Sequence, residues 1–337
     1  MSRLLSALKL SAVIFGFVLL TGCSPGQPAG GDAGEPLQLS AWLTHWDWAD
    51  GDRELKRWEN QLSSLSYFAA TFDANDRLVV APELSQPRPK TGGYTRYLTF
   101  VNDRENADGS VTLKDTAVLQ RLLTDETALD RHIDEIIALT AAGGYNGIEI
   151  DYERVWKEQP LTEPFSRFIS RLYTRALQSG LGLRVVLEPG TPFQTAGLIS
   201  GPEYVVMFYN LYGLHSSPGP KADAEFIQKT AARMAVLPGT KAAAFAGGGC
   251  LWGDNGEKRF LTEVEARTLA ALHAVRPQRD ESSQSLVFSY QENGVSYQVW
   301  YADFLTLRAW IRTAQSQGIS SIFLWRLGGN VDSHKLL

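Results

Sequence analysis

The sequence predicts an α/β fold built as one (β/α)8 barrel, and three observations carry that expectation. Eight strand-like runs alternate with helical patterns over most of the 337 residues. An acidic strand, Asn146-Gly147-Ile148-Glu149-Ile150-Asp151-Tyr152-Glu153, follows a helical pattern and a glycine turn, which is the rhythm of a parallel sheet. One segment, from about 251 to 303, breaks the rhythm and reads as a small α+β insertion between strands seven and eight. Periodicity alone leaves a doubly wound sheet open.

The chain begins with a targeting segment. Arg3 and Lys9 precede an apolar run, Ser11 to Leu20, too short to span a bilayer comfortably. Leu20-Thr21-Gly22-Cys23 resembles the bacterial lipobox. The resemblance implies a lipoprotein signal peptide over 1–22 and lipid attachment at Cys23, which anchors a protein without spanning. An ordinary secretory signal that ends near a cysteine is the alternative. The expected location is exported, on the periplasmic or cell-surface side of a bacterial envelope. Residues 23–36 are rich in Gly and Pro and form a flexible tether, and 37–337 form the folded domain.

The strand runs are Leu37 to Leu43, Leu65 to Phe72, Tyr97 to Val101, the acidic strand, Leu183 to Leu187, Tyr204 to Tyr209, Lys241 to Phe245 and Ile319 to Trp325. Helical patterns cover Arg53 to Leu62, a stretch through Leu129, Ile133, Ile136 and Leu139, Phe165 to Gln178, Ala222 to Ala235 and Phe304 to Gln315. Gly143-Gly144, Gly180 and Gly318 close three of them. The insertion carries a helix, Glu263 to His273, and two strand runs, Ser285 to Tyr290 and Val295 to Tyr301, joined by the hairpin turn Glu292-Asn293-Gly294.

Composition is globular, with 44% hydrophobic and 20% charged residues. A net charge of −5 without a long basic run argues against nucleic acid as a partner. With Cys23 acylated, Cys250 is the only other cysteine and no intrachain disulfide is expected; Cys250 reads as a buried small side chain at a strand end. His45, His132, His215, His273 and His334 show no paired metal spacing, and there is neither a P-loop nor a dinucleotide glycine pattern, so no metal or cofactor is expected. A monomer is expected.

The chemistry concentrates in the acidic strand. Alternation places Ile148, Ile150 and Tyr152 on one face and Glu149, Asp151 and Glu153 on the other, about 7 Å from one carboxylate to the next. In a confined site, like charge and desolvation raise one carboxyl's pKa, so that it holds a proton and acts as an acid. A surface strand with its acidic face in water is the plain alternative.

The stretch resembles the Asp-Gly-x-Asp-x-Asp-x-Glu signature of family 18 glycoside hydrolases, the chitinase-like (β/α)8 barrels. Gly147, Asp151 and Glu153 match, while Asn146 and Glu149 replace the first two acids. Met207-Phe208-Tyr209-Asn210 resembles the family's Met-x-Tyr-Asp, with Asn210 in place of the acid. The family often carries an insertion between strands seven and eight. The runs Val299-Trp300-Tyr301-Ala302-Asp303 and Trp325-Arg326-Leu327-Gly328 look most like the branch that holds spore cortex-lytic glycosidases.

The resemblance implies catalysis by Glu153 as proton donor, Asp151 as the partner acid that steadies the substrate's acetamido group, and Tyr209 as the hydroxyl that positions it. The reaction would be substrate-assisted cleavage, with retention, of β-1,4-linked N-acetylhexosamine glycans such as peptidoglycan or chitin-type oligosaccharides. Substrate contacts would come from Glu149, Met207, Asn210, Glu188, Trp46 and Trp325, the last as a floor under the sugar; Trp42 and Trp48 could line further subsites. Plainer roles stand beside these: a rim salt bridge to Arg154 or Arg326 for Glu153, a buried acid bonded to barrel neighbours for Glu149, a core aromatic for Tyr209 and a helix-start acid for Glu188. A catalytically inactive chitinase-like glycan-binding lipoprotein is the second reading, kept open by Asn146, Glu149 and Asn210. A hydrolase for a sugar without an acetamido group is a third.

Overall fold

The computed structural model describes residues 36–58, 60–84 and 93–336. The signal peptide 1–22, Cys23 and the tether up to residue 35 lie outside the described residues. Seven parallel strands come first: β1 (Gln38–Thr44), β2 (Leu62–Phe72), β3 (Thr95–Glu105), β4 (Gly147–Asp151), β5 (Gly182–Leu187), β6 (Glu203–Met207) and β7 (Thr240–Ala246). A separate antiparallel sheet follows: β8 (Gly248–Gly253), β9 (Lys258–Leu261), β10 (Gln278–Arg279), β11 (Leu286–Glu292) and β12 (Val295–Ala302). The chain then returns as β13 (Ser321–Trp325). Around the first sheet the neighbours run β2-β1-β13-β7-β6-β5-β4-β3, and β3 pairs back onto β2, which closes an eight-stranded parallel barrel. This is the predicted fold class.

The helices are α1 (Trp48–Trp58), α2 (Thr116–Thr124), α3 (Glu126–Ala142), α4 (Gln159–Gln178), α5 (Ala224–Met234), α6 (Glu263–Leu272, in the insertion) and α7 (Phe304–Gln315). Several boundaries correct the sequence reading. Leu62 opens β2 and does not end α1, because its spacing from Trp58 continues the helical period although the chain has already turned. The fourth helix starts at Gln159, well before Phe165. Pro160 falls in the first turn, where its missing N–H has no intrahelical role, whereas Pro164 lies inside the helix and forfeits one bond of the ladder. The helix α2 was not anticipated; the Asp115 side chain caps it by accepting from Ala117 N and Val118 N. Among the described residues no α-helix separates β2 from β3, where only a 3-10 turn at Pro82–Leu84 occurs, or β5 from β6.

The insertion begins at Gly248, earlier than about 251. Gly248 has φ +60°, and a Cβ there would lie 2.3 Å from the Leu261 carbonyl oxygen, so glycine is needed where the chain leaves the barrel. Cys250 is buried in the middle of β8, not at a strand end. Asn293 and Gly294, both at positive φ, form the two-residue turn between β11 and β12 as expected. The insertion packs a small core of its own, with Leu251, Phe288, Val299 and Tyr301 under Ala266 and Ala270 of α6.

Alternation along β4 sorts its side chains as predicted. Ile148, Ile150 and Tyr152 join the main core under the helices, while Glu149 and Asp151 turn inward. The barrel bore is apolar on one side, with Trp42, Val186, Val205, Met207 and Phe323 packed together. On the other side it holds an ionic layer around Glu149 and Arg184.

Candidate active site

At the C-terminal ends of the barrel strands a cavity of about 930 Å³ opens. Asp151 ends β4, and Glu153 follows two residues later. Met207 ends β6, and Tyr209 and Asn210 lie just beyond it. Trp325 ends β13. All six line this one cavity, together with Glu188 after β5 and Trp46 after β1. The catalytic face of a parallel barrel is built in this way, from short excursions after several strands.

Asp151 is buried, and its Oδ1 has no hydrogen-bond partner among the described residues. Burial pushes its carboxyl well above the ordinary aspartate value, and the neighbouring Glu153 and Glu149 push it further. Glu153 is also raised, chiefly by burial, while the Lys114 ammonium pulls it back. The Lys114 Nζ donates to Glu153 Oε2, so the rim salt bridge exists, but with a partner other than Arg154 or Arg326. Arg326 pairs with Asp47 instead, and the Arg154 N–H donates to Glu188 Oε2 at 2.9 Å. Asn102 fixes the Glu153 backbone from both sides: its Oδ1 accepts from Glu153 N at 2.9 Å and its Nδ2 donates to Glu153 O at 3.2 Å. Both carboxyls are thus raised, and of the two only Glu153 has an ammonium hydrogen-bonded to it that draws it back toward the anion.

Burial, reinforced by Asp151, Glu153 and Glu149, drives the Tyr209 hydroxyl well above its ordinary value, so it remains a donor. Trp325 meets Phe68 edge-on, with ring centres 5.0 Å apart, and stands 6.4 Å from the Trp46 ring. The Trp325–Arg326 peptide bond is cis. Trp46 is 54% exposed and offers its ring to the opening.

Three expected substrate contacts are corrected. Glu149 does not line the cavity. It is fully buried and accepts from Trp42 Nε1 (2.5 Å), Ser66 Oγ (2.7 Å), Thr99 Oγ1 (2.7 Å) and Arg184 Nη1 (3.2 Å). Trp42 is therefore a bore residue and not a subsite. Trp48 packs against the main core from α1. The replacement of the first signature acid also finds its reason. Asn146 sits before β4, at the opposite end of the strand from the cavity, and its Oδ1 accepts from Arg96 N at 3.0 Å. Only an acceptor is needed there, and an amide supplies one.

Sequence reasoning missed Lys114, Asn102, Asp103 and Lys221, and the wall that the insertion contributes through Phe260, Thr262 and Glu265. Lys114 and Lys221 sit on loops and Phe260 on a short exposed strand, where no period marks the face; Asn102 and Asp103 lie in the last part of β3, beyond its apolar run, and Thr262 and Glu265 open α6.

No family model matches the chain. The cortical fragment-lytic enzyme of Bacillus anthracis is 25% identical over 288 residues, which cover 79% of this chain and 65% of that protein. This chain thus spans slightly less than two thirds of that relative's length. An uncharacterized glycosylase of Bacillus subtilis, YvbX, is 24% identical over 269 residues, covering 71% of this chain and 76% of the relative. Among solved structures, the Bacillus cereus spore cortex-lytic enzyme SleL aligns with a TM-score of 0.75 at 21% identity, over 90% of this chain and 74% of that one. A chitinase from Chromobacterium violaceum aligns at 0.73 and 18% identity, over 88% and 96%. The fold is a chitinase-like (β/α)8 barrel.

Proposed function

We propose that the protein is an exported, lipid-anchored glycoside hydrolase that cleaves β-1,4-linked N-acetylhexosamine glycans. The observation that carries this reading is the convergence of Asp151, Glu153, Tyr209 and Trp325 on one cavity. The similarity to proteins named as cortical fragment-lytic enzymes and glycosylases supports it.

In the proposed mechanism a sugar lies over the Trp325 ring. The Tyr209 hydroxyl donates to the acetamido oxygen and holds it beneath the anomeric carbon. Asp151 Oδ1, unpartnered among the described residues, accepts from the acetamido N–H. Glu153 gives a proton to the leaving glycosidic oxygen while the acetamido oxygen closes an oxazolinium ring. For this step Glu153 must carry the proton, as its raised carboxyl allows, and Lys114 must let that carboxyl go. Water then opens the ring with retention, and Glu153 takes the water's proton.

Digestion of purified peptidoglycan and of chitin oligomers, with mass analysis of the new reducing ends, tests the assignment. Absence of new ends from both would exclude it. A wall-facing lipoprotein meets peptidoglycan first, which favours that substrate. Fractionation of expressing cells tests the anchor, and recovery in the soluble fraction would exclude it.

A specific observation favours a second reading, a glycan-binding protein without turnover. The Lys114 ammonium pairs with Glu153 and draws its carboxyl back toward the anion, which opposes donation of a proton. A glycan titration that shows binding beside a digestion that shows no cleavage would establish it.

A further inference from the structure

The cavity holds a cation that the chemistry above does not use. Lys221 lies between β6 and α5, where the Leu211 N–H donates to its carbonyl at 3.1 Å and fixes the return of the loop. Its side chain lines the cavity, with Nζ 3.4 Å from the Gly247 carbonyl oxygen and 5.7 Å from the centre of the Phe260 ring. The Gly247 N–H in turn donates to the Trp325 carbonyl at 3.1 Å, so this ammonium stands beside the proposed sugar floor. Lys114 is matched by Glu153, Arg326 by Asp47 and Lys157 by Glu188. Lys221 has no carboxylate within ion-pair distance among the described residues. The titratable groups acting on it are the Cys250 thiol and the Arg326 guanidinium; burial, and then Arg326, push the ammonium below its ordinary value. This half-buried ammonium on the cavity wall has one long carbonyl contact and no carboxylate, and a ligand anion would complete its pairing.

We propose that Lys221, with Phe260 beside it, forms a subsite that selects sugar units carrying a carboxylate. The proposal rests on the glycan-directed reading of the cavity and narrows its substrate. A muramic acid unit freed of its stem peptide supplies such a carboxylate through its lactyl group, whereas a chitin oligosaccharide is neutral along its length. Phe260, exposed on β9, offers an apolar face to the same unit. The insertion thereby contributes part of the selectivity, and the barrel contributes the proposed cleavage chemistry.

The test uses peptide-free peptidoglycan strands, as free acids and as methyl esters, with the full chain and its Lys221→Met variant. Esterification is expected to raise the wild-type KM about tenfold or more, with kcat changing less. Lys221→Met is expected to raise KM for the free acid by a similar factor and to abolish the effect of esterification. An esterification effect equal in the two proteins would overturn the proposal. Should the wild type cleave neither strand, the hydrolase reading fails separately. The same four comparisons are then read as Kd by calorimetric titration: an ester effect confined to the wild type supports the subsite, and its absence, or no binding at all, overturns it.

Discussion

Asp151 and Glu153 share a face of one short segment and meet different surroundings, and the difference is measurable. Burial raises the Asp151 carboxyl in the folded chain. The native protein therefore keeps a proton over a pH range where the unfolded chain has released it. Stability from this group is greatest below the ordinary aspartate range and declines as pH rises through the folded value. Asp151→Asn cannot ionise and escapes that decline. Its Tm relative to wild type is expected to increase from about pH 4 to about pH 7, followed by scanning calorimetry. A difference that does not vary with pH would show that Asp151 is not strained by its burial. Glu153→Gln keeps an acceptor for Lys114 but cannot donate a proton to the leaving oxygen. Its kcat is expected to fall about 10²- to 10⁴-fold in a reducing-end assay, with glycan affinity retained within the same order. Full activity in the variant would remove Glu153 from the mechanism. Asp151 was legible in the sequence through strand alternation, and Tyr209 and Trp325 through the family resemblance, since Tyr209 lies beyond the end of its strand. Lys114 was not. It enters beside Glu153 from a loop, with its own N–H bonded to Asp103 Oδ1 at 2.8 Å, and nothing local in the chain announces that return.

At the scale of elements, β4 is held to its neighbours by a close approach that only glycine permits. A Cβ on Gly147 would lie 2.3 Å from Tyr97 Cε1 and 3.0 Å from the Gly182 carbonyl oxygen. The glycine of the signature thus has a packing reason in this chain, apart from any chemistry. Gly147→Ala is expected to destabilise by about 1–3 kcal/mol in urea denaturation. A loss below about 0.5 kcal/mol would mean that the Tyr97 ring simply gives way. The barrel strands were legible as elements because each is a short apolar run followed by a turn. The termini of α1 and α4 were less so, since Leu62 prolonged one period and two prolines masked another. The strands β8 and β9 escaped notice because the first begins in a glycine run and the second is mostly exposed.

At the scale of the whole molecule, one buried network ties six of the eight barrel strands across the bore. Trp42 of β1, Ser66 of β2 and Thr99 of β3 donate to Glu149 of β4. Arg184 of β5 donates to the same carboxylate and, at 2.7 Å, to Glu203 of β6. The Arg184 guanidinium also lies 3.8 Å over the Tyr97 ring and 4.4 Å over that of Phe323. The extra methylene that made Glu149 look like a flaw in the motif is the length that spans to these donors. Glu149→Asp is expected to lower stability by about 1–3 kcal/mol, read by chemical denaturation, because the shortened carboxylate leaves buried donors unmet. Undiminished stability would show that the layer re-forms around the shorter acid. Reverting this position to the consensus letter would therefore be an injury, not a repair. A comparison that scores motifs letter by letter would count Glu149 as decay, although the reach of that acid is matched to an arginine one strand away.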